Sequence, residues 1–310
     1  MKIQDDVPGY PASRAIKISD KAMFDGLFAK MQPSISEFTF TNLFLWGAAK
    51  RYSMSKFEGH VLVFYESHGK RIFLPPIGKE PEGIIKKILS ESGNAEFQRV
   101  PEEIALKLND PSLSVEEDRN SFDYVYLRKD LADLPGAKYS PKRSFVRRAL
   151  ENSPVVVENP DANPSECMRL QEEWCKARMC ESDEAMKQEN EAIYTLFLNK
   201  KELWVTCVVI RIGGKVAAFA AGEPLNDDTY VIHFEKADTK YTGIYQLINN
   251  EFAKRIPPKF KYVNREQDLG IEGMRKAKES YHPVHMVKKF RVSNPSRAHG
   301  SEIHSLHLNM

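Results

Sequence analysis

Between residues 233 and 285 the chain gathers side chains that can move protons and hold charge. His233 and Glu235 stand two apart in the apolar run Tyr230–Glu235, so a strand places both on one face. A charged pair within an apolar strand calls for a polar recess beside it. The segment Asn264-Arg265-Glu266-Gln267-Asp268-Leu269-Gly270 leaves a second apolar run and ends at a glycine. Ligands of open α/β sheets bind beyond the carboxyl ends of strands, and loops on a rigid scaffold often carry function. On that reading His233, Glu235, Asn264 and Arg265 receive an acceptor, while Glu266 and Asp268 orient it or exchange protons. The bland alternative is a surface loop closed by its own ion pairs, Arg265 with Glu266 or Asp268. Further on, Tyr281-His282-Pro283-Val284-His285 offers Tyr281 and His282 as proton carriers. Here the alternative is a set of hydrogen-bonded structural histidines.

Two other stretches suit anions. Lys138, Lys142, Arg143, Arg147 and Arg148 lie in a segment free of acidic residues as far as Leu150. On a helix Arg143 and Arg147 share a face, and arginine forks fit phosphate or carboxylate. The same pattern also describes a solvated helix face whose Phe145, Val146, Ala149 and Leu150 pack inward. In Glu235–Tyr245, Gly243 and Tyr245 mark a strand-to-helix turn where free amides can cradle a phosphate. A single glycine is equally an ordinary helix entry.

These residues need elements to position them. Asp20–Met31 reads as a helix with Met23, Phe24, Leu27 and Phe28 inward, followed by an aromatic stretch, Phe38–Trp46. Tyr52–Phe57, His60–Glu66 and Arg71–Pro75, turning at Gly59 and His68-Gly69-Lys70, predict an antiparallel meander. Pro81–Ser92 is helical and Phe122–Leu127 a strand. Leu134-Pro135-Gly136 reads as a joint, after which Ser140-Pro141 opens the basic helix. Val155–Glu158 then forms a strand, Asn163-Pro164 opens a helix and Ala185–Asn199 is another. Leu203–Ile212 and Lys215–Glu223 form a hairpin about Gly213-Gly214. Tyr230–Glu235, Gly243–Ile256, Lys261–Asn264, Ile271–Ser280 and Val284–Val292 alternate strand and helix. The order predicts an α/β (α+β) fold with mixed sheets flanked by helices. The expected divisions are 1–137, 138–293 and a polar tail, 294–310.

The 310 residues carry a net charge of +2, so any nucleic-acid or lipid-headgroup site must be a local patch rather than a global field. The polar start, Met1–Asp6, shows no signal peptide, and no apolar run approaches the roughly 20 residues of a membrane span. A cytoplasmic protein without a transmembrane segment is expected. Cys167, Cys175, Cys180 and Cys207 form no C-x-x-C pair and are expected as reduced structural thiols. No metal site is expected: His299, His304 and His307 fall in the polar tail, and Walker, G-x-S-x-G and H-E-x-x-H motifs are absent.

Tyr230–Asp238, Gly243–Asn249, Tyr262–Gly270 and Lys278–His285 together resemble a bacterial family, the C-terminal domain of phosphatidylglycerol lysyltransferases. Lys138–Arg148, following Leu-Pro-Gly, resembles that family's basic helix. The resemblance covers nearly the whole chain and is strongest from Leu134 to Phe290. It implies two tandem GNAT-like acyl-CoA N-acyltransferase folds, related to the Fem-type enzymes that attach amino acids to cell-wall precursors. It also implies transfer of an activated acyl or aminoacyl group to an amine or hydroxyl, with acyl-CoA or aminoacyl-tRNA as co-substrate and no tightly bound cofactor. Lys142, Arg143, Arg147, Gly243 and Tyr245 would meet the donor. The membrane-spanning region of the full lysyltransferases has no counterpart here, so small-molecule, peptide and lipid-headgroup acceptors stand level. A non-catalytic binding module on the same fold is the alternative, and a nucleic-acid binder using the basic helix is a third reading.

Overall fold

The computed structural model describes residues 3, 5–151, 155–158 and 164–295. Asn163 and all but the first two residues of the expected tail lie outside the described residues.

Two seven-stranded sheets organise the chain. The first takes β1 (Arg14–Ala15), β2 (Ser53–Phe57), β3 (His60–Ser67), β4 (Lys70–Phe73), β5 (Ala95–Pro101) and β6 (Ser114–Glu117). The second takes β7 (Asp123–Leu127), β8 (Val155–Glu158), β9 (Thr206–Ile212), β10 (Lys215–Pro224), β11 (Thr229–Ala237), β12 (Tyr262–Asn264) and β13 (His285–Val287). The last strand, β14 (Lys289–Ser293), returns to the first sheet between β5 and β6. Each sheet is an antiparallel meander with one parallel step, β4 to β5 and β11 to β12. The mixed α/β class with helix-flanked mixed sheets is thus as expected.

The helices are α1 (Lys21–Met31), α2 (Phe40–Lys50), α3 (Pro81–Glu91), α4 (Glu102–Ala105), α5 (Arg128–Asp133), α6 (Ser140–Glu151), α7 (Pro164–Arg178), α8 (Glu184–Leu198), α9 (Lys200–Leu203), α10 (Ile244–Arg255) and α11 (Glu272–Glu279). Strand alternation assigns their partners. On β3, Leu62 and Phe64 join Ile84, Ile85, Ile88 and Leu89 of α3, whereas Val61 and Val63 join Phe24, Phe28 and Leu43 of α1 and α2. That second core continues into Ile193, Leu196, Phe219 and Phe234, so helices from both halves fill the space between the sheets. Behind the second sheet, Leu247, Ile248 and Phe252 of α10 cover Ile210, Ala218 and Ile232.

Several expected boundaries change. Val284–Val292 is two strands, not one: β13 pairs with β7 and β14 with β5, and Lys288, which interrupts the apolar alternation of this segment, stands at the crossing between sheets. The aromatic stretch after Phe38 is α2, capped by Thr39, whose hydroxyl accepts from the Asn42 amide. Residues 200–203 turn as α9, so the following strand starts at Thr206 rather than Leu203. Cys175 and Cys180 are joined in a disulfide, against the expectation of four reduced thiols. Cys167 and Cys207 are free, and burial raises them to about 12 and about 11, which keeps both protonated.

The chain crosses the division at 137 twice, through β7 and β14. At this exchange Lys289, fully buried, donates to Asp123 and to Glu37, each at 2.6 Å. Lys289→Ala strands the buried Asp123 carboxylate without its cation and leaves Glu37 with Arg99 alone, 3.3 Å away. It should cost about 3–5 kcal/mol of stability, read as a lowered denaturant midpoint; a midpoint within error of wild type would contradict the packing described.

Candidate functional site

Three strands and one helix of the second sheet's layer, with the start of α2, build a polar centre at the seam of the halves. β11 supplies His233 and Glu235, the end of β12 supplies Asn264–Asp268, β7 supplies Asp123 and Tyr124, and α11 supplies Lys278.

The loop after β12 is held from several sides. Asn264, fully buried, donates to Asp123 at 3.0 Å and accepts the Glu266 amide at 2.8 Å. Lys278 reaches under the loop and donates to three successive carbonyl oxygens, of Arg265 (2.5 Å), Glu266 (3.0 Å) and Gln267 (2.5 Å). Burial, then the nearby Arg265, lowers this ammonium to about 8. Asp268 accepts from Arg119, Tyr124, Arg275 and the Gly270 amide. Burial works to raise its pKa, yet these donors, Arg275 first, hold it well below the usual carboxylate range. Glu266 and Leu269 sit at φ +55° and +54°, a left-handed geometry that side chains adopt at a cost and that these anchors sustain.

His233 lies between two carboxylates, Nδ1 2.9 Å from Glu266 and Nε2 3.0 Å from Glu223, with its side chain 2% exposed. Burial works to lower its pKa, but the hydrogen bonds to Glu223 and Glu266 outweigh that and raise it to about 9. Burial in turn raises the Glu266 carboxyl, which also accepts from Asn42 of α2 at 3.3 Å. His233 and Glu266 therefore bond to each other and clamp the two halves.

The internal ion pairs of the alternative reading do not form: Arg265 reaches back to Glu235, at 2.5 Å through Nη2, and Asn249 donates to the same carboxylate at 2.8 Å. Arg265 Nη1 and Asn249 Oδ1 are occluded without a protein partner. The guanidinium lies 4.8 Å from the Tyr281 ring centroid, and Lys142 Nζ lies 4.0 Å from the same centroid. Lys142 also donates to Ser280 at 2.6 Å, and burial, then Arg265, lowers it to about 8. Tyr281 is buried, which raises its pKa, and its hydroxyl has no hydrogen-bond partner among the described residues. The neighbouring His282 is exposed, with its ring edge-on to Tyr139.

The basic helix and the loop after β12 thus meet through one residue, Lys142. Its fellow cations are placed differently. Arg143 donates to the carbonyls of Leu134 and Gly136, closing the joint before α6, while Arg147 is exposed with Glu151 3.6 Å away. Gly243 takes φ +87° at the start of α10, and a Cβ there would stand 2.1 Å from the Phe145 carbonyl oxygen of α6. The glycine is required by this close packing of α6 on α10. Tyr245 belongs to a separate group: it accepts from Trp174 at 3.1 Å, and Lys236, paired with Glu189, lies 3.7 Å from a Trp174 ring centroid. Sequence reasoning passed over Lys278, Glu223, Asn249 and Arg119. Only Lys278, a basic residue four before an expected proton carrier, carried any local signal. Among the described residues no His, Cys, Asp and Glu cluster suits a metal ion, and no helix is long and apolar enough to cross a membrane.

Comparison with known proteins agrees with this architecture. A conserved protein of unknown function from Bacteroides thetaiotaomicron superposes with a TM-score of 0.82 at 30% identity, over 90% of this chain and 98% of that one. The C-terminal domain of a putative lysylphosphatidylglycerol synthetase from Agrobacterium fabrum gives 0.64 at 11% identity, over 94% and 97%. L-PGS from Bacillus licheniformis gives 0.63 at 15%, over 92% and 95%. No curated protein matches in sequence. Residues 28–293 match the family described as phosphatidylglycerol lysyltransferase, C-terminal, and the chain belongs to that family.

Proposed function

We propose that this protein transfers an activated aminoacyl group from a tRNA-borne ester to an amine or hydroxyl acceptor, with Lys142, Arg265 and Tyr281 at the reacting centre. The observation that carries the reading is the pair of cations packed on the Tyr281 ring, one of them an amine lowered to about 8. The acceptor's lone pair attacks the ester carbonyl, and the carbonyl π pair moves onto oxygen. Arg265 stabilises that oxyanion. Neutral Lys142 takes the acceptor's proton; the oxyanion's electron pair then re-forms the carbonyl as the ester C–O bond breaks, and Lys142, with the Tyr281 hydroxyl as a relay, gives that proton to the departing ribose oxygen. The ester is already activated, so placement and oxyanion stabilisation supply most of the acceleration. Glu266 and Asp268, saturated by internal partners, hold the loop rather than exchange protons. His233 and Glu235 position Glu266 and Arg265. The exposed cations of α6 meet the tRNA, and the packing of Gly243 against Phe145 favours this donor over acyl-CoA, whose pyrophosphate would need that turn open.

Lys142→Met and Arg265→Lys should each lower transfer from charged tRNA by about a hundredfold while the fold is retained. Wild-type kcat/KM should rise with pH through about 8, and Lys142→Met should lose that limb. Transfer products are to be sought by mass spectrometry across amine, peptide and lipid acceptors. Donor binding without any product would instead favour a binding module. Arg147→Glu with Arg148→Glu should weaken binding of uncharged tRNA by about tenfold or more and flatten its salt dependence; unchanged fluorescence anisotropy would remove the donor from α6. Finally, His233 has a folded pKa above its ordinary value. Its contribution to stability is therefore full below about 6.5 and lost as pH rises through about 9. Urea midpoints should fall across that window, and His233→Gln should level the slope.

A further inference from the structure

The first sheet holds an amine that neither the seam nor the transfer centre uses. Lys50 closes α2, and its side chain lies only partly in solvent. The ammonium is 5.1 Å from a Trp46 ring centroid and 6.0 Å from that of Tyr65. Among the described residues it has no ion pair and no hydrogen-bond acceptor. A lysine drawn out of water is ordinarily paired. Burial, then the nearby Arg99, lowers this amine to about 8, and Glu37 opposes that only in part.

Its neighbours add donors rather than acceptors. The Trp46 indole N–H and the Tyr52 hydroxyl also find no acceptor among the described residues, and burial keeps the Tyr52 phenol protonated. Tyr52 stacks on Tyr65 with ring centroids 5.5 Å apart, and the Tyr65 hydroxyl donates to Gln98 at 3.4 Å. The fixed charges close by are already balanced. Arg99, Lys289 and Arg291 meet Glu37, Asp118 and Asp123, three cations for three carboxylates. Lys50 is the positive charge left over.

The place in the sheet is one that ligands use. β4 and β5 are the parallel pair of the first sheet, as β11 and β12 are of the second. The last residues paired in parallel are Phe97 and Asn264, and two residues beyond them Arg99 and Glu266 both take left-handed φ, +60° and +55°. Arg99 thus stands in the first sheet where Glu266 stands in the second, beyond the carboxyl end of the parallel step.

We infer that Lys50, Trp46, Tyr52 and Tyr65 form a second binding site, distinct from the Arg265–Tyr281 centre, for a small organic acid carrying one carboxylate on a flat apolar body. A single excess positive charge matches a monoanion and leaves half of a phosphate dianion uncompensated. The partly exposed rings of Trp46 and Tyr65 supply apolar contact that a bare inorganic ion cannot use. The carboxylate sits on the Lys50 ammonium, with the indole N–H and the Tyr52 hydroxyl as further donors. This goes beyond the transfer reading and does not rest on it.

The test is isothermal titration calorimetry of the full chain with benzoate, acetate and inorganic phosphate. Benzoate should bind with a Kd of about 1 mM or tighter, acetate about tenfold more weakly and phosphate not measurably. Above about pH 8 the free amine is largely neutral, so benzoate should bring about one proton onto the protein, read from the dependence of the heat on buffer ionisation. A unit or more below that pH the uptake should vanish. Lys50→Met should abolish both the binding and the uptake. An unpaired ammonium drawn from water opposes folding, so the same variant should keep or raise the urea midpoint. The inference fails if benzoate gives no heat up to about 10 mM, if phosphate binds as well as benzoate, or if Lys50→Met binds benzoate as wild type does. A midpoint clearly lowered by Lys50→Met also overturns it, because the amine would then be a structural partner of the Trp46 and Tyr65 rings.

Discussion

The buried ammonium of Lys289, shared by Asp123 and Glu37, is the interaction on which the rest of the structure turns. It sits where the chain leaves one sheet for the other: Asp123 opens β7 in the second sheet, and Lys289 opens β14 in the first. Buried ion pairs contribute little net stability against a well-packed apolar substitute, because desolvation consumes the Coulombic gain. Their effect is on register. A one-residue slip of β14 would leave a charge without a counterpart in the interior, a far larger penalty than a lost apolar contact. The same Asp123 carboxylate also accepts from Ser36 and from Asn264, so the crossing point and the loop after β12 share one anchor.

From that anchor the polar centre divides into saturated and unsaturated groups. Asp268, Lys278 and His233 have their hydrogen-bonding capacity filled from several elements, and each pins something else: the turn into α11, the loop carbonyls, the seam with α2. Arg265, Lys142 and Tyr281 keep capacity in reserve. Of these, Arg265 Nη1 is a buried donor without a partner, which costs about 1–3 kcal/mol, so it persists only where the surroundings over-determine it. Three carbonyls clasped by one ammonium are the means here, because they fix the backbone on either side of Glu266 and so aim the Arg265 side chain at Glu235 and Tyr281.

Much of the scaffold was legible because it is local. Gly213-Gly214 between two apolar runs gives its hairpin, Pro81 at the start of Ile84–Leu89 gives α3, and Ser140-Pro141 gives α6. The exchange of β7 and β14 was not legible, because which sheet a strand joins depends on partners far away in sequence. Lys288 showed only that the apolar alternation breaks. β5 escaped notice because Glu96, Gln98 and Arg99 dilute its alternation. At the site, the types were visible and the pairings were not: Arg265 has carboxylates at 266 and 268, yet its partner is Glu235, thirty residues back on the adjacent strand. Arg143 likewise looked like a phosphate fork and serves as a clip on two backbone carbonyls.

Gly243 shows how one residue can satisfy two readings until packing decides. A glycine at a strand-to-helix turn permits a phosphate to approach the amides, and it equally permits another backbone to do so. At 2.1 Å from a virtual Cβ, the Phe145 carbonyl takes that space. The consequence runs back to Lys142. Because α6 is seated this closely on α10, its first turn is carried over the second sheet to Tyr281, and a lysine three residues before Phe145 arrives beside Arg265. The glycine therefore acts at a distance, by fixing the helix that carries Lys142, and any larger residue there would displace that amine from Tyr281.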